Sequence, residues 1–133
     1  MRILITDIDH VQGEAAERII FSSDVGRSPA RWMGRNAARL GEFEVELDFP
    51  DEVGGFEILA PGAPAGIHGT EEAGMIAVCG TVVTIGEDDD PVVGISLGQD
   101  IVLVEASDAK SGVVLGSHVA FEVPMVDVYP YEL

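Results

Sequence analysis

Between residues 42 and 49 the chain reads EFEVELDF. Successive side chains of an extended backbone leave on opposite faces, so Phe43, Val45, Leu47 and Phe49 point one way and Glu42, Glu44, Glu46 and Asp48 the other. The pattern predicts a half-buried strand with one dry face and one row of carboxylates. RILITDID (2–9) has the same period and predicts a second strand with Ile3, Ile5 and Ile8 inward. AERIIFSS (16–23) predicts a third, although Ala15, Ala16, Ile19 and Ile20 also share a face at helical spacing.

The second half carries MIAVCGTVVTIG (75–86), rich in β-branched residues and closed by the polar turn EDDDP. VVGISLG (92–98) and DIVLVEAS (100–107) form a hairpin across Gly98, Gln99 and Asp100. SDAKSG is a loop, and SHVAFEVPMVDVY (117–129) is a last long strand. Pro124 interrupts it and marks an edge position or a bulge, because proline cannot donate to a ladder. Residues 50–74 hold three of the seven prolines; apart from a short strand in GFEIL they read as a long Gly/Pro-rich surface loop. LGEFEVELDFP and LGSHVAFEVP both run from Leu-Gly through an alternating strand to Pro, a match too short to show a repeat. Short strands, turn residues and few helix signals predict one all-β domain over 1–133, a small β-barrel or barrel-like sandwich of about seven strands.

From Gly80 to Tyr129 the strand, hairpin, loop and strand order resembles small Greek-key barrels of the OB type. That resemblance implies a barrel, and in many of its members an oligonucleotide site. Such a site needs basic and aromatic residues. This segment has one lysine and almost no aromatics, so nucleic acid is not the expected partner.

RSPARWMGRNAARLGE admits two structures. Arg27, Arg31, Arg35 and Arg39 are four apart and would stack on one helical stripe, with Ser28 and Pro29 at the start and Gly41 at the end. Like charges at that spacing repel, and Gly34 would cost about 1 kcal/mol inside a helix. Strand plus loop is the preferred reading: PARWM with Ala30 and Trp32 inward and Arg31 outward, then a loop to Gly41. In that reading an antiparallel neighbour sets Arg31 or Arg35 opposite Glu44 or Glu46, a pairing that contributes about 0.2–1 kcal/mol.

Charge changes the picture most. Seven basic residues stand against 24 acidic ones, a net −17. Residues 1–39 hold six arginines and five acids, whereas 40–133 hold only Lys110 against 19 acids, or −18. Such a surface repels phosphate backbones and anionic membranes and favours cationic proteins. No apolar run approaches the length of a membrane helix, and the start lacks a signal peptide's pattern. With Cys79 alone there is no internal disulfide, and a cytoplasmic location is expected.

Candidate chemistry is sparse. Asp7 and Asp9 share a strand face beside His10, a set that could bind a divalent ion, but no second ligand cluster accompanies it. Glu87 to Asp90 lack a calcium loop's alternating ligands and central glycine. His68 lies in the 50–74 loop and His118 in a strand, and neither has a nucleophile nearby in sequence. Cys79 reads as a small core residue.

The expectation is a non-enzymatic acidic binding protein with no cofactor, taking a basic protein through Glu42, Glu44, Glu46, Asp48 and Trp32. Immunity proteins that neutralise basic toxins are similar in size, acidity and lack of catalytic signatures. The alternatives are a small-ligand or enzymatic barrel with a pocket under the 50–74 loop, using His68 or Asp7, Asp9 and His10, and an assembly subunit with Pro124 and the YPYEL tail at an edge. Oligomeric state is not legible in the sequence.

Overall fold

The computed structural model describes residues 1–10, 12–69 and 74–131. Eleven strands run through them: β1 (Arg2–Asp9), β2 (Glu17–Ser23), β3 (Gly26–Trp32), β4 (Gly41–Asp48), β5 (Glu57–Ile58), β6 (Gly66–Gly69), β7 (Ile76–Ile85), β8 (Val92–Leu97), β9 (Asp100–Glu105), β10 (His118–Val123) and β11 (Asp127–Pro130). One short 3-10 turn, Ala109–Gly112, lies between β9 and β10. The all-β expectation holds, with more and shorter strands than the seven anticipated.

Five strands close a barrel. β1 pairs antiparallel with β2 and with β4, and β2 pairs with β3. β11 completes the ring, antiparallel to β4 and parallel to β3. Ile3, Ile5, Phe21, Trp32, Val45 and Val128 are buried on these strands. In β1 the register against β2 slips by one residue between Ile5 and Asp7. This bulge at Thr6 reverses the alternation, which turns Ile8 toward the core and leaves Asp7 and Asp9 wet.

β7 to β10 repeat this order. β7 pairs with β8 and β10 as β1 pairs with β2 and β4, and it too slips register against its hairpin partner, between Val82 and Thr84. The β8–β9 hairpin turns on Gly98 and Gln99, as β2–β3 turns on Asp24 and Val25. Counting from these turns, buried Ser28, Ala30 and Trp32 correspond to buried Val102, Val104 and Ala106.

The fifth strands are exchanged. After β4 the chain leaves its own barrel. Val53 donates its N–H to the Glu105 carbonyl at the end of β9 (2.7 Å), and β5 pairs with β10 through Glu57 and Ile58. After β10 the chain crosses the other way and becomes β11 of the first barrel. Phe49 and Phe56 both meet Phe121 edge to face, at 6.1 and 5.6 Å between centroids, which seats the first exchanged segment in the second unit. β6 adds a further tie, parallel to β3 and antiparallel to β7. Gly26 permits that approach. Its φ is +136°, and a Cβ there would fall on the Ile67 carbonyl.

Three expectations need correction. The run 117–129 is two strands, β10 paired with β7 and β11 in the closed barrel, because Pro124 ends the ladder where the chain crosses over. The 50–74 stretch is more than a surface loop: it holds β5 and β6, and it buries Val53 and Ile67. Its residues 70–73 lie outside the described residues. Arg31 does not face Glu44 or Glu46, because β11 stands between β3 and β4 and supplies Asp127 instead. The choice of strand plus loop over helix for 28–40 holds: β3 ends at Trp32 and no regular element follows before Gly41. The expected strand, hairpin, loop and strand of 80–129 is present as β7, β8 with β9, the 3-10 turn, and β10.

Candidate functional site: the acidic face of β4

β4 pairs with β1 over Gly41–Glu44 on one edge and with β11 over Val45–Asp48 on the other, so its outer side chains are held on a sheet. Glu42, Glu44, Glu46 and Asp48 are all exposed, while Val45 and Leu47 between them are buried. Alternate residues lie about 6.6 Å apart along a strand, so neighbouring carboxylates sit within one Debye length. Two of their four cross-strand neighbours are charged: Arg2 beside Glu44, and Asp127, itself held by Arg31, beside Asp48. Glu42 stands beside Leu4 and Glu46 beside Tyr129. Glu44 stands beside Arg2, whose Nε reaches its Oε1 at 2.9 Å, with both side chains more than half exposed. No described residue forms an ion pair with Glu42, Glu46 or Asp48. The N-terminal ammonium extends the cluster toward β9: it donates to the Val45 carbonyl at 2.9 Å and lies 3.2 Å from Asp100 Oδ1.

Trp32 belongs to the wall of the first barrel. It is 6% exposed, it meets Phe43 edge to face at 5.2 Å, and its Nε1 donates to the Asn36 carbonyl at 2.8 Å. The loop 33–40 folds over its ring. A Cβ on Gly34 would come within 2.8 Å of that ring, so the close packing accounts for the glycine. The same loop is pinned by Ala38, whose N–H donates to Glu17 Oε1 at 2.9 Å.

The arginines serve mostly as internal partners. Arg31 binds Asp127 at 2.6 Å (Nε to Oδ1) and 2.9 Å (Nη2 to Oδ2), and the carboxylate is almost wholly buried. These bonds raise the guanidinium's hold on its proton above the ordinary arginine value, against the opposing effect of burial. Arg18 grips Glu14 in the same two-pronged way, at 2.9 and 3.0 Å, and holds that carboxyl below its usual value. Arg27 reaches Asp7 at 3.4 Å on the surface, and Arg39 lies over the Phe43 ring.

The other candidates do not gather. Asp9 lines a cleft of about 270 Å³ with Glu14, Arg18, Met75 and Met125, but Asp7 and His68 do not, and His10 is exposed apart from it. The hollow beside Gly54 and Gly55, under the start of the 50–74 segment, is lined by Ala77, Ala120, Phe121, Glu57 and Glu122 and contains no nucleophile. Among the described residues no three His, Cys, Asp or Glu side chains converge at a metal's spacing. Cys79 is half-buried in β7, and His118 Nδ1 lies 3.4 Å from Thr81 Oγ1.

Sequence reasoning missed one arrangement at the acidic turn after β7. The chain's one lysine, Lys110, points its ammonium into that turn and donates to the carbonyls of Gly86 (3.1 Å), Asp88 (2.6 Å) and Asp90 (2.6 Å). The backbone oxygens that a bound cation would use are thus turned on a side chain of the protein itself. The signal was in the sequence: a single lysine placed among 19 acids has many acceptors competing for it.

Comparison with family models, with curated proteins and with solved structures gave no significant match. Among the described residues no helix is long and apolar enough to cross a membrane. The fold and this face define the chain as an all-β barrel protein with an anionic sheet surface.

Proposed function

We propose that this is a non-enzymatic binding protein that takes a basic protein on the outer face of β4, in the manner of an immunity or inhibitor protein working in the cytoplasm. One observation carries the reading: Glu42, Glu44, Glu46 and Asp48 stand in a row on a strand fixed at both edges, and only Glu44 has a described cationic partner. Preorganised like charges cost free energy in the isolated protein, and a partner's Lys or Arg side chains relieve that cost on binding. The net −17 adds long-range steering, which raises the rate of encounter with a basic partner and fades with salt. The order β1, β2, β3, β11, β4, with its single parallel pair, is compatible with an OB-type barrel. The oligonucleotide use of such barrels relies on basic and aromatic faces, which this row of carboxylates opposes.

The test is comparative affinity capture from the native cell followed by reconstitution with the purified candidate. Wild type and the Glu44→Lys/Glu46→Lys variant are used side by side. The reading requires a basic protein that binds wild type, binds the variant at least about tenfold more weakly, and loses affinity with salt. A partner held equally well by the variant, or a partner of acidic character, overturns it.

A further inference from the structure

Among the described residues the outer edge of β9 is only partly covered: Val53 takes its far end and β4 passes nearby, but no backbone bond reaches Ile101 or Leu103 from that side. The hairpin of β9 with β8 closes on a two-residue turn, so Asp100, Val102 and Val104 exchange their backbone bonds with β8. The N–H and C=O groups of Ile101, Leu103 and Glu105 therefore point the other way. The Glu105 carbonyl fits this phase, since it accepts the Val53 N–H from that outer side. No described residue bonds the outward backbone groups of Ile101 or Leu103.

The repeated unit shows what closing this edge looks like. Arg27, Pro29 and Arg31 of β3 are the counterparts of Ile101, Leu103 and Glu105, counted from the matching hairpin turns. Arg27 is covered by β6, Pro29 has no N–H to offer, and Arg31 donates to the Val126 carbonyl at 2.9 Å. Exposed edges are normally covered or blunted, and here one copy is closed at every position while the other is open at two.

The side chains beside the open edge have a definite chemistry. Ile101 and Leu103 are 61% and 58% exposed, and with Tyr129 they line a groove whose other members include Glu46 and Asp48 of the acidic row. We propose that β9 from Ile101 to Leu103 accepts an extended segment of a basic partner as an added strand. Backbone bonds to Ile101 and Leu103 would hold it, its apolar side chains would lie on Ile101, Leu103 and Tyr129, and its Lys or Arg side chains would meet Glu46 and Asp48. This inference rests on the reading of the protein as an acceptor for a basic partner and adds where and how that partner is gripped. Asp100 stands where Gly26 lets β6 come close, so the added strand engages from Ile101 onward. Charge selects the partner: a second copy of this chain would bring another −17 to the same groove.

The probe is a labelled octapeptide of alternating Lys and Val, titrated into the full chain at low salt, with fluorescence anisotropy for affinity and amide NMR for location. Leu103→Pro removes one outward N–H, and Pro29 shows that the same register position tolerates proline. The expected result is binding to wild type with shifts centred on 101–103, weakened about tenfold by Leu103→Pro and about as much by Glu46→Lys/Asp48→Lys. Equal binding to wild type and Leu103→Pro overturns the edge site while leaving a basic partner in place. No binding to any form, against retained binding of a basic protein found by capture, also overturns the edge site alone. Self-association of wild type that Leu103→Pro abolishes overturns the choice of occupant.

Discussion

Arg31 and Asp127 lie 96 residues apart in sequence and meet through two hydrogen bonds, of 2.6 and 2.9 Å, at the seam where β11 closes the first barrel. The carboxylate is 3% exposed and the guanidinium about one third, so the pair is asymmetric. Removing Arg31 strands a buried negative charge; removing Asp127 leaves an arginine that can still reach water. Arg31→Ala is therefore expected to cost about 2–4 kcal/mol and Asp127→Ala about 1–3 kcal/mol, with the double variant well short of the sum. Urea unfolding of the four proteins measures this, and additive losses would show that the pair does not act as a unit.

Lys110 holds the turn 86–90 through three carbonyls. Lys110→Met keeps the aliphatic stem and removes the donors, with an expected loss of about 1–2 kcal/mol. Hydrogen exchange should locate the effect at the amides of Gly86 and Asp90, which bond the carbonyls of Val92 and Glu87 and so close the turn. Unchanged protection there would mean that the turn stands without its ammonium.

Gly26→Ala probes the seat of β6. The added Cβ falls on the Ile67 carbonyl and the backbone is in the left-handed region, so the expected cost is about 2–4 kcal/mol. Gly54→Ala meets nothing within 4 Å and should shift the thermal midpoint little. Equal behaviour of the two variants would remove the argument that β6 needs a bare backbone on β3.

Glu14 should titrate below the ordinary glutamate value, because Arg18 bonds its charged form. A depressed folded value stabilises the native state above the unfolded value, and that contribution disappears as pH falls through the folded value. The sensitive window thus runs downward from about pH 4.5. NMR titration of the Glu14 carboxyl in wild type and in Arg18→Gln tests it, and an unmoved value in the variant would assign the shift to something else.

The legible part of the fold is the part governed by alternation. The row from Glu42 to Asp48, the β8–β9 hairpin and the inward set of β1 follow from side chains leaving opposite faces. Even Ile8, out of phase with Ile5, marks the bulge at Thr6 once β2 is in view. Alternation says which face is dry but not which strand lies alongside, so the exchange of fifth strands was hidden. Pro124 reads as a fault in one strand, and in the fold it is the crossing point from the β7–β10 unit to the closed barrel. Gly26 and Gly34 carried information that is readable only when Ile67 and the Trp32 ring are placed against them. At the candidate site, the row of acids was plain in the sequence. The open edge of β9 was not, since an edge exists only relative to the strands that fail to cover it.

Because β5 pairs with β10 and β11 closes the barrel of the first half, each half is clasped by the other's arm. A protease cut at exposed Gly62 would leave two fragments, and neither could depart without tearing a wall out of its neighbour. The nicked protein should therefore migrate as one particle in native solution and come apart in a single step when denaturant opens the barrel and the strands added to it together.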